Sequence, residues 1–233
     1  MKKLLIIGLV CMVCSVTANA DLLAEYTFAS NMDPTTENAN VAAGGITVGS
    51  GITGAGRSGG SESLFARASV TDGANQISLA NAIPANDYFS FTVAPDAGYE
   101  MDLTSLTFDL GYTRIGSFES KQFRTYLLTD IDGFTTGGLL GYDTVDVTVN
   151  GGSLQYPNPT ASISLGGAQF QDLTGTVEFR LYIADNTGGN DYIHRIDNIG
   201  LNGTVSVIPE PATMGLLGIG GLVTMALRRR MTA

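Results

Sequence analysis

The 233-residue chain carries no tryptophan, two cysteines and a formal net charge of −10. Residues 21–208 hold seven basic side chains against twenty-one acidic ones, a net charge near −14, which excludes a nucleic-acid partner because phosphate binding needs clustered Lys and Arg. Both cysteines, Cys11 and Cys14, precede that stretch, so its 188 residues contain no disulfide or thiolate metal site and must fold around one hydrophobic core.

Lys2-Lys3, the apolar run 4–13 and the small residues Ala18-Asn19-Ala20 form the three parts of a secretory signal peptide. They predict a signal peptide helix over 1–20, with cleavage expected after Ala20. Cys14 follows Cys11-Met12-Val13 rather than the small residues that a lipidated cysteine requires, so lipidation is excluded.

The exported domain then runs over 21–206. Residues 22–28 predict a first strand, and the Gly-, Asn-, Ser- and Thr-rich region 31–63 predicts long loops with short strands around Ile46-Thr47-Val48. Later segments alternate apolar and polar residues with period two: Phe89, Phe91 and Val93; Leu106, Phe108, Leu110 and Tyr112; Phe123, Thr125 and Leu127; Val145, Val147 and Val149; Val177, Phe179, Leu181 and Ile183. Ile163 and Leu165 precede the last of these, and 193–207 closes the domain. About ten strands with polar opposite faces predict an all-β fold, a jelly-roll-type antiparallel β-sandwich. A β-helix is the second choice, without a fixed-period repeat to support it.

Several motifs have a plainer reading. Gly56-Arg57-Ser58-Gly59-Gly60 spells a hydrolase elbow and Gly54 to Gly59 a dinucleotide loop, but both need a strand-to-helix turn that the pattern does not offer. His194 is the sole histidine, too few for a zinc site, and reads as structural. Asp130 and Asp132 are candidate calcium ligands, two carboxylates on one turn, although Gly133 after them also suits an ordinary turn. Asp185, Asn186, Asn190 and Asp191 form a second oxygen-rich stretch, and Asp197-Asn198 can bond to nearby backbone. The paired carboxylates of jelly-roll glycosidases, commonly an E-x-D-x-x-E strand, do not occur in that form. Without tryptophan, sugar stacking would fall to Tyr112, Tyr126, Tyr142, Tyr156, Tyr182 or Tyr192, although packing accounts for most tyrosines.

The C-terminal part, 207–233, has three pieces in order. Pro209-Glu210-Pro211 blocks helix propagation and holds an extended peptide. Residues 212–227 carry no charge and would extend about 24 Å as a transmembrane helix, short of a hydrocarbon core of about 30 Å. Arg228, Arg229 and Arg230 snorkel to help it span, and stay on the cytoplasmic side, which leaves everything before Pro209 outside. This arrangement resembles the PEP-CTERM sorting signal. The resemblance implies membrane anchoring first, then processing near the triplet by an exosortase, with delivery to the cell surface or extracellular matrix. The order of the strand segments also resembles the lectin-like sandwich ectodomains often joined to such signals. The expectation is therefore a non-enzymatic exported protein, structural or weakly binding extracellular polysaccharide, with calcium as an optional ligand. The alternative is a secreted polysaccharide hydrolase of jelly-roll fold.

Overall fold

The computed structural model describes residues 20–60, 62–68, 77–114, 122–146, 154–186 and 192–208. Thirteen strands and one α-helix occur among them: β1 (Asp21–Tyr26), β2 (Thr36–Glu37), β3 (Val41–Ala43), β4 (Thr47–Val48), β5 (Thr53–Ser58), β6 (Ser63–Arg67), α1 (Leu79–Ala85), β7 (Tyr88–Pro95), β8 (Tyr99–Arg114), β9 (Gln122–Thr129), β10 (Gly141–Asp146), β11 (Gln155–Ser164), β12 (Val177–Asp185) and β13 (Tyr192–Val207). The first sheet has the order β11-β8-β13-β1-β2, with β6 also on β13 and β5 on β6; the second has the order β10-β9-β12-β7-β3, with β4 also on β7. All pairings are antiparallel. The predicted all-β sandwich is the fold.

Alternation places the core. Phe179, Leu181 and Ile183 of β12 face Leu106, Phe108 and Leu110 of β8 across the interior, all of them buried. A fully buried side chain of this size stabilises the fold by about 1.5–3 kcal/mol, so the inward face specifies which way each strand turns. β13 is the central strand of the first sheet. One edge of it pairs with β8, while the other is divided between β6 at 194–196 and β1 at 199–203. A bulge at Asp197 to Gly200, with Asn198 at φ 47°, takes up the register shift between the two halves.

Three features depart from the sequence reading. The glycine-rich stretch around Gly56 is not a loop: Thr53–Ser58 is strand β5, paired with β6, and the Arg57 guanidinium donates to the carbonyls of Phe28 and Ala29. Helix α1 was not expected. It is an alanine-rich segment of seven residues with Leu79 and Ala82 buried, closed by Asn86 in the left-handed region, and seven residues are too few to display a helical period. Around Ile163 the strand begins earlier than the apolar residues mark, since residues 155–162 also belong to the edge strand β11.

At its C-terminal end β13 runs without a linker toward the sorting segment. Ile208 N–H still donates to Gly98 O (2.9 Å), and Pro209 follows. Among the described residues no helix is long and apolar enough to cross a membrane. The predicted span 212–227 lies outside them, as do the signal peptide helix and the end of the Val145, Val147, Val149 run.

Candidate arginine–tyrosine face

Strands β9 and β12 carry one five-residue pattern twice: Gln122-Phe123-Arg124-Thr125-Tyr126 and Glu178-Phe179-Arg180-Leu181-Tyr182. Period two sends Phe123 and Phe179 into the core and turns Gln122 or Glu178, the arginine and the tyrosine to the opposite face. In the β12–β9 register Tyr182 stands opposite Tyr126. Because the strands are antiparallel, this relates the two patterns by a local two-fold axis normal to the sheet. The neighbouring strands continue the row, with Tyr142 of β10 opposite Tyr126 and Tyr88 of β7 opposite Tyr182. Four tyrosines therefore cross four strands in line.

Each arginine closes onto one pair of rings. Arg124 lies 4.8 Å from the Tyr142 ring centre and 5.8 Å from that of Tyr126, within cation–π range. It donates from Nε to Thr144 Oγ1 (2.9 Å), from Nη2 to Gln122 Oε1 (3.2 Å) and, at 3.4 Å, from Nη1 to Tyr126 OH. Arg180 lies 4.3 Å from the Tyr88 ring and 3.7 Å from Phe134, donates from Nε to Glu178 Oε1 (2.8 Å), and reaches Tyr182 OH from Nη1 at 3.4 Å. Burial lowers the Arg180 pKa, but the hydrogen bonds to Glu178 and Tyr182 and the Glu178 charge outweigh it, so the net direction is upward. Burial raises the Tyr182 phenol, against the opposing pull of Arg180.

Helix α1 covers the centre of the row. Leu79 and Ala82 pack with Tyr126, Leu128, Tyr182 and Ala184 in a second small core, and Tyr126 OH donates to Ile77 O (2.9 Å). Tyr126 and Tyr182 are consequently 4% and 1% exposed, whereas Tyr142 is 53% exposed. The face thus offers one open aromatic ring with a guanidinium against it, and one covered clamp at the other end.

The outer face of the first sheet is different in chemistry. Asp197 of β13 stands opposite Asp109 of β8. Burial first, then the charges of Asp109 and Glu62, raise the Asp197 carboxyl to about 6, against the Asn198 N–H bond that lowers it. Asp109 accepts from Thr160 N–H (2.6 Å) and Asn198 Nδ2 (2.8 Å). Arg195 nearby donates to Thr113 Oγ1 (2.9 Å) and Ser63 Oγ (3.3 Å).

Asp130 and Asp132 sit on an exposed 3-10 turn that ends at Gly133 with φ 69°, and Asp130 Oδ1 accepts the Glu178 N–H (3.0 Å). Among the described residues no group of three or more His, Cys, Asp or Glu could hold a metal ion. His194 is buried within β13 itself, with Nε2 3.1 Å from Asp185 Oδ2 and its ring edge-on to Phe123. Asn186 Oδ1 accepts the Gln122 N–H (2.8 Å). Ala20 is exposed just before β1, while Ala18, Asn190, Asp191, Pro209, Glu210, Pro211, Arg228, Arg229 and Arg230 lie outside the described residues. Of the tyrosines singled out in the sequence, Tyr126, Tyr142 and Tyr182 meet on this face and Tyr112 is in the core. The two arginines were missed, and their signal was the repeated pattern.

Residues 207–230 match the family model of the PEP-CTERM protein-sorting motif, beginning on the last residue of β13. The chain carries this sorting signal. A PEP-CTERM signal indicates an exported protein, anchored at the membrane and then processed by an exosortase. No curated protein matches the chain. Among solved structures it is similar to a carbohydrate-binding module studied for specific mannan recognition, at 16% identity and a TM-score of 0.43 over 80% of this chain and 99% of that one. It is also similar to a cyclase from Fischerella sp. TAU, at 13% identity and a TM-score of 0.33 over 84% and 93%. A third is the K1 cleaved adhesin domain of Lys-gingipain from Porphyromonas gingivalis W83, at 12% identity and a TM-score of 0.31 over 79% and 98%.

Proposed function

We propose that this PEP-CTERM protein is a non-enzymatic component of the cell surface or extracellular matrix whose sandwich holds extracellular polysaccharide through the Tyr142 end of its arginine–tyrosine face. The observation that supports this is the open Tyr142 ring, 53% exposed, with the Arg124 guanidinium 4.8 Å from its centre. A sugar is bound by its C–H face on an aromatic ring and by its hydroxyls on a fixed planar donor, and these two groups supply both. The rigid strands β9 and β10 hold them in place.

The test is fractionation with mass determination of three forms. Wild type is expected in the matrix, shortened near Pro209. The form with Pro209, Glu210 and Pro211 changed to alanine is expected full length in membranes. Tyr142→Ala is expected to be shortened normally but washed out of the polymer. Full-length wild type in membranes would overturn the matrix role, and Tyr142→Ala retained in the polymer would overturn the glycan reading.

A second reading, a polysaccharide hydrolase, has one observation in its favour: the carboxyl of Asp197, raised to about 6, opposite Asp109. It ranks below the first because the Asp109 oxygens are both engaged by Thr160 and Asn198. Reducing-sugar release abolished in Asp197→Asn would reverse that order.

A further inference from the structure

The two clamps differ at one corresponding position, and that position decides their charge. Arg180 is paired with the Glu178 carboxylate at 2.8 Å and covered by Phe134. At the matching place Arg124 has Gln122, and its hydrogen-bond acceptors among the described residues are all neutral: Thr144 Oγ1, Gln122 Oε1 and Tyr126 OH. Neither carboxylate of β10 accepts directly from Arg124: Asp143 accepts from Asn158 Nδ2 (3.0 Å), and Asp146 accepts from Gln122 Nε2 (2.7 Å), which places the Gln122 amide between it and the guanidinium. A guanidinium carries five N–H donors. Arg124 spends one on each of its three acceptors, which leaves a cation with donors in hand beside an open aromatic ring.

We infer that the Arg124 clamp accepts the carboxylate of an acidic sugar residue, while the Arg180 clamp, already neutralised, does not. This rests on the glycan reading above and specifies its ligand. The domain's charge near −14 opposes a polyanion at a distance. Screening confines that repulsion to about 8 Å at 0.15 M salt, whereas a direct ion pair is screened less. The fitting ligand is therefore a mostly neutral glycan with sparse carboxylates, not a densely charged polyuronate.

The probe is matrix polysaccharide from the producing cells in two matched forms, one with all carboxyls reduced and one with a low density of primary hydroxyls oxidised to carboxylates. The protein is the full chain in a polyoxyethylene detergent, which offers no competing sugar. Wild type should bind the oxidised form about fivefold to tenfold more tightly than the reduced form. Gln122→Glu, which gives Arg124 the partner that Arg180 already has and forfeits the Gln122 Nε2 bond to Asp146, should bring that ratio close to one while a cooperative unfolding transition shows that the chain still folds. Equal binding of both forms by wild type, or a preference that survives Gln122→Glu, overturns the inference while leaving the glycan reading in place. Retention of neither form takes both down.

Discussion

The two strands β9 and β12 place an arginine and a tyrosine in the same order on the same face, yet one clamp is covered and ion-paired while the other is open. Around Arg180 the cover consists of Phe134 at 3.7 Å and the Glu178 carboxylate; around Arg124 it is a half-exposed Tyr142 and an amide. The comparison teaches that a local pattern sets the direction of a side chain, whereas its chemistry depends on the neighbour two residues away, Gln122 or Glu178, together with what the fold brings against it.

The largest effects should come from the buried ring that the two patterns share. Phe123→Ala and Phe179→Ala each remove a fully buried ring, and each should cost about 3–5 kcal/mol in denaturant unfolding. A much smaller loss at Phe123, which also stacks on Tyr112 at 5.7 Å, would break the symmetry of the inner face. On the outer face the two should diverge. Arg180→Ala forfeits a partly buried ion pair and two ring contacts, and should cost about 1–2 kcal/mol, against about half of that for Arg124→Ala. Equal losses would mean that cover does not distinguish the clamps.

Tyr142→Ala should change unfolding free energy by about 0.5 kcal/mol or less, since the ring is mostly in solvent, while abolishing retention in the polymer. A large stability loss would make Tyr142 structural and remove the reason to regard this end as a binding surface. The smallest effect belongs to the other sheet. The Asp197 carboxyl, ordinarily 3.8, is raised to about 6, so between those values the folded chain holds a proton that the unfolded chain has released. Stability therefore falls as pH rises through that window and levels off above it. Asp197→Asn should flatten this part of the profile, modestly because solvent screens a half-exposed group. An unchanged profile would assign the dependence to another group.

Much of this was legible in the residues. The alternation of Val177, Phe179, Leu181 and Ile183 alone requires a strand with one buried side, and the ordered signal at 207–230 is a local pattern that depends on no fold. Helix α1 was not legible, because seven residues with a proline among them show no period. β5 was hidden by its glycines, which favour no conformation on their own and form a strand only once β6 supplies hydrogen-bond partners. His194 is buried against Asp185, a residue that the sequence reading assigned to a loop.

What the amino-acid order determined by itself was the sorting signal, the all-β class and the outward direction of Arg124, Tyr126, Arg180 and Tyr182, because each follows from chemistry within a few residues. Only the tertiary structure decided that Tyr126 meets Tyr182, that α1 closes over both, and that Tyr142 remains open. Register between strands far apart in sequence is selected by burial of whole faces, and a slip of one residue would exchange core and surface, so no local pattern can specify it.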